Sequence, residues 1–137
     1  MNSAIYGCPE VWTHLLPPGT CRDPREIRLW PLLAWTGLVR KPEGLRCRIL
    51  LAPGDGSLEG IRAETVVTCG LSPRDSLTLS SLWRPVLCVQ RSLPRPDGGT
   101  IEPQEFPLPP LPAPPELLLP LLGLRLLQMP LTEGRFP

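Results

Sequence analysis

The chain is short of most of what metal or acid–base chemistry draws on. It has one histidine, His14, in 137 residues, which excludes a two-histidine nuclease site and leaves any Ser-His-Asp triad dependent on a single residue inside a candidate strand. Its five cysteines, Cys8, Cys21, Cys47, Cys69 and Cys88, form no CxxC pair and have no histidine partner, so no zinc site, other metal or cofactor is expected. Gly-x-Ser-x-Gly, His-Glu-x-x-His and paired-carboxylate patterns are absent, and "GDG" at 54–56 lacks the Lys-Ser/Thr ending of a phosphate loop. Net charge is also small: 14 basic residues against 13 acidic leave +1, too little to draw the whole protein to nucleic acid or a membrane. The opening "MNSAIYGCPEVW" has no basic segment followed by an apolar core, and the most apolar run, residues 116–129, is too short to cross a bilayer and is interrupted by Pro120, Gly123 and Arg125. A soluble cytoplasmic protein with reduced thiols, and no membrane partner, is the expectation.

What the chain has in quantity is proline, 21 residues, and between the prolines lie short stretches that alternate. In "LRCRILLA" (45–52), Leu45, Cys47, Ile49 and Leu51 share one face while Arg46 and Arg48 take the other, the period of a half-buried strand. "IRAETVVTC" (61–69) is rich in β-branched residues, and "SLTLSSL" (76–82) and "RPVLCVQRSL" (84–93) follow a "GLSPRD" turn. "EVWTHLL" (10–16) is a further candidate strand, and "IRLWPLLAW" (27–35) another, demoted by Pro31 to an edge or bulged position. About five or six short strands separated by turn signals predict a mainly β fold, a small barrel or sandwich, over residues 1–101. Residues 102–115 are proline-dense and should be extended, 116–129 form a short apolar helix that needs covering by the barrel or a second subunit, and 130–137 are a tail.

Four stretches together resemble the PemK/MazF-like toxin family, an SH3-like barrel. "EVW" at 10–12 is similar to that family's opening strand and "ILLAP" at 49–53 to its strand ending in Ala-Pro. "GLSPRDS" at 70–76 is similar to its Gly-Leu-x-x-Asp-Ser turn, and "DGGTIEP" at 97–103 to the segment before the last helix. The resemblance implies a metal-independent endoribonuclease, or an inactive relative, acting on single-stranded RNA and partnered by a small antitoxin or a second copy of itself. It places Arg28 and Ser57 as the catalytic cation and hydroxyl, with Arg22, Arg25, Arg46 and Arg48 holding nucleic acid, because in-line attack on a phosphate builds charge that a cation and a donor must meet. The chain departs from the family pattern where Trp30-Pro31 stands for an Arg-Pro pair, "PGDGS" for Pro-Leu-Thr-Ser, and Leu82 for a glutamine. The rival expectation, of a different class, is a non-catalytic interaction or assembly module that uses the β domain and the leucine-rich tail to bind protein.

Overall fold

The computed structural model describes residues 3–26, 28–132 and 135–137, so Met1, Asn2, Ile27, Glu133 and Gly134, which fall within the expected strands and domains, lie outside the description. The strands are β1 (Ser3–Tyr6), β2 (Cys21–Arg22), β3 (Leu29–Trp35), β4 (Leu45–Pro53), β5 (Ile61–Cys69), β6 (Leu77–Ser81), β7 (Val86–Val89), β8 (Leu93–Pro94), β9 (Thr100–Ile101) and β10 (Gln104–Pro107). One helix, α1 (Pro115–Gln128), closes the chain. Eight strands form a single sheet in the order β10-β7-β6-β5-β4-β3-β1-β2, and β8 and β9 pair with each other alone.

The pairing directions overturn the SH3-like barrel and with it the PemK/MazF resemblance. Such a barrel joins antiparallel neighbours by tight turns, whereas here β2, β1, β3, β4 and β5 lie side by side in parallel. Parallel neighbours require the chain to travel back along the sheet before the next strand begins. The segments 36–44 and 54–60 make that return without a helix, and the result is a β-solenoid of about four turns. Antiparallel pairing enters afterwards, where β6, β7 and β10 form an arm at one side of the sheet and β8 and β9 make a separate pair. Alternation within a strand says which residues are buried but not which way its neighbour runs, and that is why the barrel expectation failed.

The coil also splits a face that the alternation joined. Leu45, Cys47, Leu50 and Ala52 belong to one buried cluster, together with Ala4, Tyr6, Trp30 and Leu33. Ile49 and Leu51 belong to another, with Ile5, Leu32, Val67 and the leucines of α1. Residues two apart share a face in a straight strand, so the inward side switches around Arg48, between Cys47 and Ile49. The same switch occurs at Pro31, between Trp30 and Leu32, while the pairs Trp30–Cys47, Leu32–Ile49, Cys47–Ala63 and Ile49–Thr65 stay in register. Pro31 is therefore neither on an edge nor costly: pairing with β1 begins only at Leu32, and the ladder to β4 passes over it.

"EVWTHL" is not a strand but a 3₁₀ turn (Glu10–Leu15), begun by Pro9, whose carbonyl accepts the Trp12 N–H at 2.9 Å. The Thr13 hydroxyl reinforces it by donating to the Glu10 carbonyl at 2.9 Å. Helix α1 opens with Pro115 at its first position, where no N–H is needed. Nine of its residues are buried, including Leu118, Leu119, Leu121, Leu122 and Leu124, and they pack on the outer face of β3, β4 and β6. Its last carbonyls are capped from outside, by the Arg95 guanidinium donating to Leu126 and Met129, both at 2.9 Å. Arg125, its pKa lowered by burial, donates to the Leu15 carbonyl at 2.8 Å and ties the 3₁₀ turn to the helix. No helix among the described residues is long and apolar enough to cross a membrane.

Gly123 sets how closely α1 approaches the sheet, since a Cβ there would lie 2.6 Å from Leu51 Cδ2 and 3.0 Å from Leu77 Cδ1. Gly123→Val is expected to destabilise the fold by about 1–3 kcal/mol through overpacking, read as a lower urea midpoint with an unchanged slope.

Candidate binding crevice

The three central strands end alike. Gly37, Gly54 and Gly70 follow β3, β4 and β5, spaced 17 and 16 residues apart, the same offset that the ladders carry from Leu29 to Arg46 and from Arg46 to Arg62. Stacked at the carboxyl ends of the strands, these glycines leave room that side chains would fill. A Cβ at Gly37, where φ is +81°, would come within 2.9 Å of the Pro53 ring, and a Cβ at Gly54 or Gly70 would run into the Asp75 carboxylate.

Asp75 occupies the space those two glycines leave, and it is buried. Its Oδ2 accepts the Ser72 N–H at 3.0 Å, and its own N–H donates to the Ser72 carbonyl at 3.0 Å. Gln90 Nε2 reaches over from the end of β7 to donate to the Asp75 carbonyl at 2.7 Å, and the Ser76 N–H donates to Thr68 Oγ1 at 3.1 Å. The 70–76 loop is thus tied to both β5 and β7. Buried polar groups need bonded partners, and the buried Asp75 has them on both sides of this loop.

Beside it opens a crevice of about 760 Å³ lined by Trp35, Leu38, Asp55, Leu71, Asp75 and the first turns of α1, Glu116, Leu117 and Pro120. Its rim is apolar and wet: Leu38 is 46% exposed, Leu71 54% and Leu117 43%. Its charges are Asp55, Asp75 and Glu116 against the single Arg74, a net negative lining. The Trp35 indole, held by its N–H donating to the Val39 carbonyl at 3.0 Å, forms part of the wall. Cys69 also borders the crevice; burial first and the Asp75 carboxylate second push its thiol well above the ordinary range. The single histidine, His14, sits in the 3₁₀ turn, and no group of three or more metal-ligating side chains occurs among the described residues.

The residues expected to act on RNA lie elsewhere. The Arg28 guanidinium stacks 4.1 Å from the centroid of the Trp30 ring, and Arg22 Nη2 donates to the Cys8 carbonyl at 3.1 Å. Arg25 is exposed in the link before β3. Arg46 and Arg48 share the outer side of β4, where Arg46 lies next to Arg62 and Arg48 is 3.8 Å from Glu64 in an exposed ion pair. Ser57 Oγ accepts the Glu59 N–H at 3.3 Å within the return loop. None of the six lines the crevice. With the barrel gone, the ribonuclease and toxin reading loses the scaffold that assigned those roles.

Gly54, Gly70, Leu71 and Asp75 are legible in the sequence only as turn residues, in "GDG" and "GLSPRDS", and nothing local marks them, Leu38 or Leu117 as lining one crevice. The signal that would have found them is the repeat itself: "LWPLLAWTG", "RCRILLAPG" and "RAETVVTCG" align at 16–17 residues with a terminal glycine each time. No protein-family model, curated protein or solved structure matches the chain.

Burial pushes the Cys47 thiol up to about 11, which leaves roughly one thiolate in a thousand at pH 8. Alkylation of the folded protein at that pH is expected to reach half-exposed Cys21 and Cys88 first and to leave Cys47 and Cys69 unlabelled until denaturant is added, read by peptide mass spectrometry. An unfolded thiol ionises near 9.0 and folded Cys47 near 11, so the stability this thiol contributes is full below pH 9 and is lost as pH rises towards 11.

Proposed function

We propose that this chain is a non-catalytic protein-interaction module whose crevice at the carboxyl ends of β3, β4 and β5 receives an apolar segment flanked by a basic residue. The observation that carries the reading is the ring of exposed leucines, Leu38, Leu71 and Leu117, around a net acidic lining. Clustered exposed apolar side chains with a polar surround mark interaction surfaces, and an acidic lining selects a cationic neighbour. The floor supports docking better than turnover: it consists of glycine backbone, a carboxylate tied into its own loop and a protonated thiol. A reducing, cytoplasmic setting fits the five free thiols.

The test is selection of displayed peptides on the folded chain. Wild type is expected to enrich peptides with an aromatic or leucine anchor next to Lys or Arg, and Leu38→Asp/Leu117→Asp to lose them by at least about tenfold in affinity, each substituted side chain being at the surface. Enrichment of acidic peptides, or of peptides that bind the double variant equally well, would overturn the reading.

A further inference from the structure

One feature of the same chain has the chemistry this crevice calls for. The turn between β6 and β7 reads Leu82-Trp83-Arg84, and Trp83 is 91% exposed, the highest exposure of any large apolar side chain among the described residues, with Leu82 beside it at 55%. Tryptophan buries about 150–250 Å² when covered, so leaving it in water forgoes a large apolar gain. Arg84 follows it, also exposed. An apolar pair next to a cation complements leucines around Asp55, Asp75 and Glu116, and Trp and Arg are the residue types that most often dominate binding energy at interfaces.

We propose that the occupant of the crevice is the Leu82–Arg84 hairpin tip of a second copy of this chain, an inference that rests on the interaction reading above. The topology allows the exchange to be mutual. β6 pairs with β5 at Cys69 and Leu77 and runs on in the same direction, so the tip projects beyond the strand ends that carry the crevice. Two copies meeting end to end each present a tip to the other's crevice, a self-complementary contact that closes on a twofold axis. The indole enters between the rim leucines, and the Arg84 guanidinium meets the carboxylates of Asp55 and Glu116.

Sedimentation velocity of the full chain over a concentration series tests it. Wild type is expected to form a dimer, Trp83→Ala to raise the dissociation constant by about thirtyfold or more, and Leu38→Asp/Leu117→Asp to do the same. An equal mixture of the two variants, one with an intact crevice and the other with an intact tip, is expected to form a heterodimer held by the one remaining contact. Circular dichroism of each variant should match wild type, since all three side chains are exposed. A monomer at every concentration, a dimer indifferent to Trp83→Ala or to the crevice variant, or a mixture that does not associate would overturn the proposal, and growth into longer assemblies would overturn its closed twofold form. Peptide selection on Trp83→Ala, whose crevice is intact, separates the two readings: continued enrichment of apolar-basic peptides leaves the interaction module standing even where the tip is not its occupant.

Discussion

Everything in this protein hangs on parallel strands stacked in register with a repeat of 16–17 residues. Trp30 lies beside Cys47 and Cys47 beside Ala63, and three residues further along Leu33, Leu50 and Val66 line up in the same way. In-register stacking puts chemically similar positions on top of one another, so each apolar row is extended with every turn. It also aligns the exceptions. The side switch at Pro31 and Arg48 recurs in neighbouring strands, and it divides the buried residues between the inside of the coil and the surface that α1 covers. A repeat that shifted by one residue would turn both rows inside out.

The same register builds the crevice. Because each central strand ends in glycine at the same height, the sheet finishes in a surface of bare backbone, and the Asp75 carboxylate lies over both Gly54 and Gly70. Helix α1 then contributes the opposite wall, and it arrives there because Gly123 lets it pack directly onto Leu51 and Leu77. Shape at the strand ends is therefore a consequence of close packing some distance below them. The strand ends thus carry a leucine rim around a net acidic lining, and the turn between β6 and β7 holds a tryptophan in water.

How much of this was legible depends on the range of the interaction. The helix over 115–128 can be read from a proline start and a nearly unbroken leucine run, because both act within a turn or two. The alternation of Arg46 and Arg48 against Leu45 and Cys47 is equally local. The error at "EVWTHL" was local too: Pro9 and the Thr13 hydroxyl favour a 3₁₀ turn, and they outweighed the β-like look of Val11 and Trp12. Four short matches in the right order suggested a ribonuclease barrel, but each consists of residues that end strands or make turns in any β protein.

By itself the sequence determined the strand positions over 45–52 and 61–69 and the apolar helix, all of which follow from residue type and spacing along the chain. It also held the coil's repeat, in glycines at 37, 54 and 70 that become meaningful only when their strands are laid side by side. The tertiary structure alone decided that those strands run parallel, that Ile49 and Leu51 face away from Leu45 and Cys47, and that Asp75 lies over two glycines from neighbouring turns. Strand direction and the meeting of residues 16 or more positions apart are set by packing between segments, and alternation within one segment is the same for either direction.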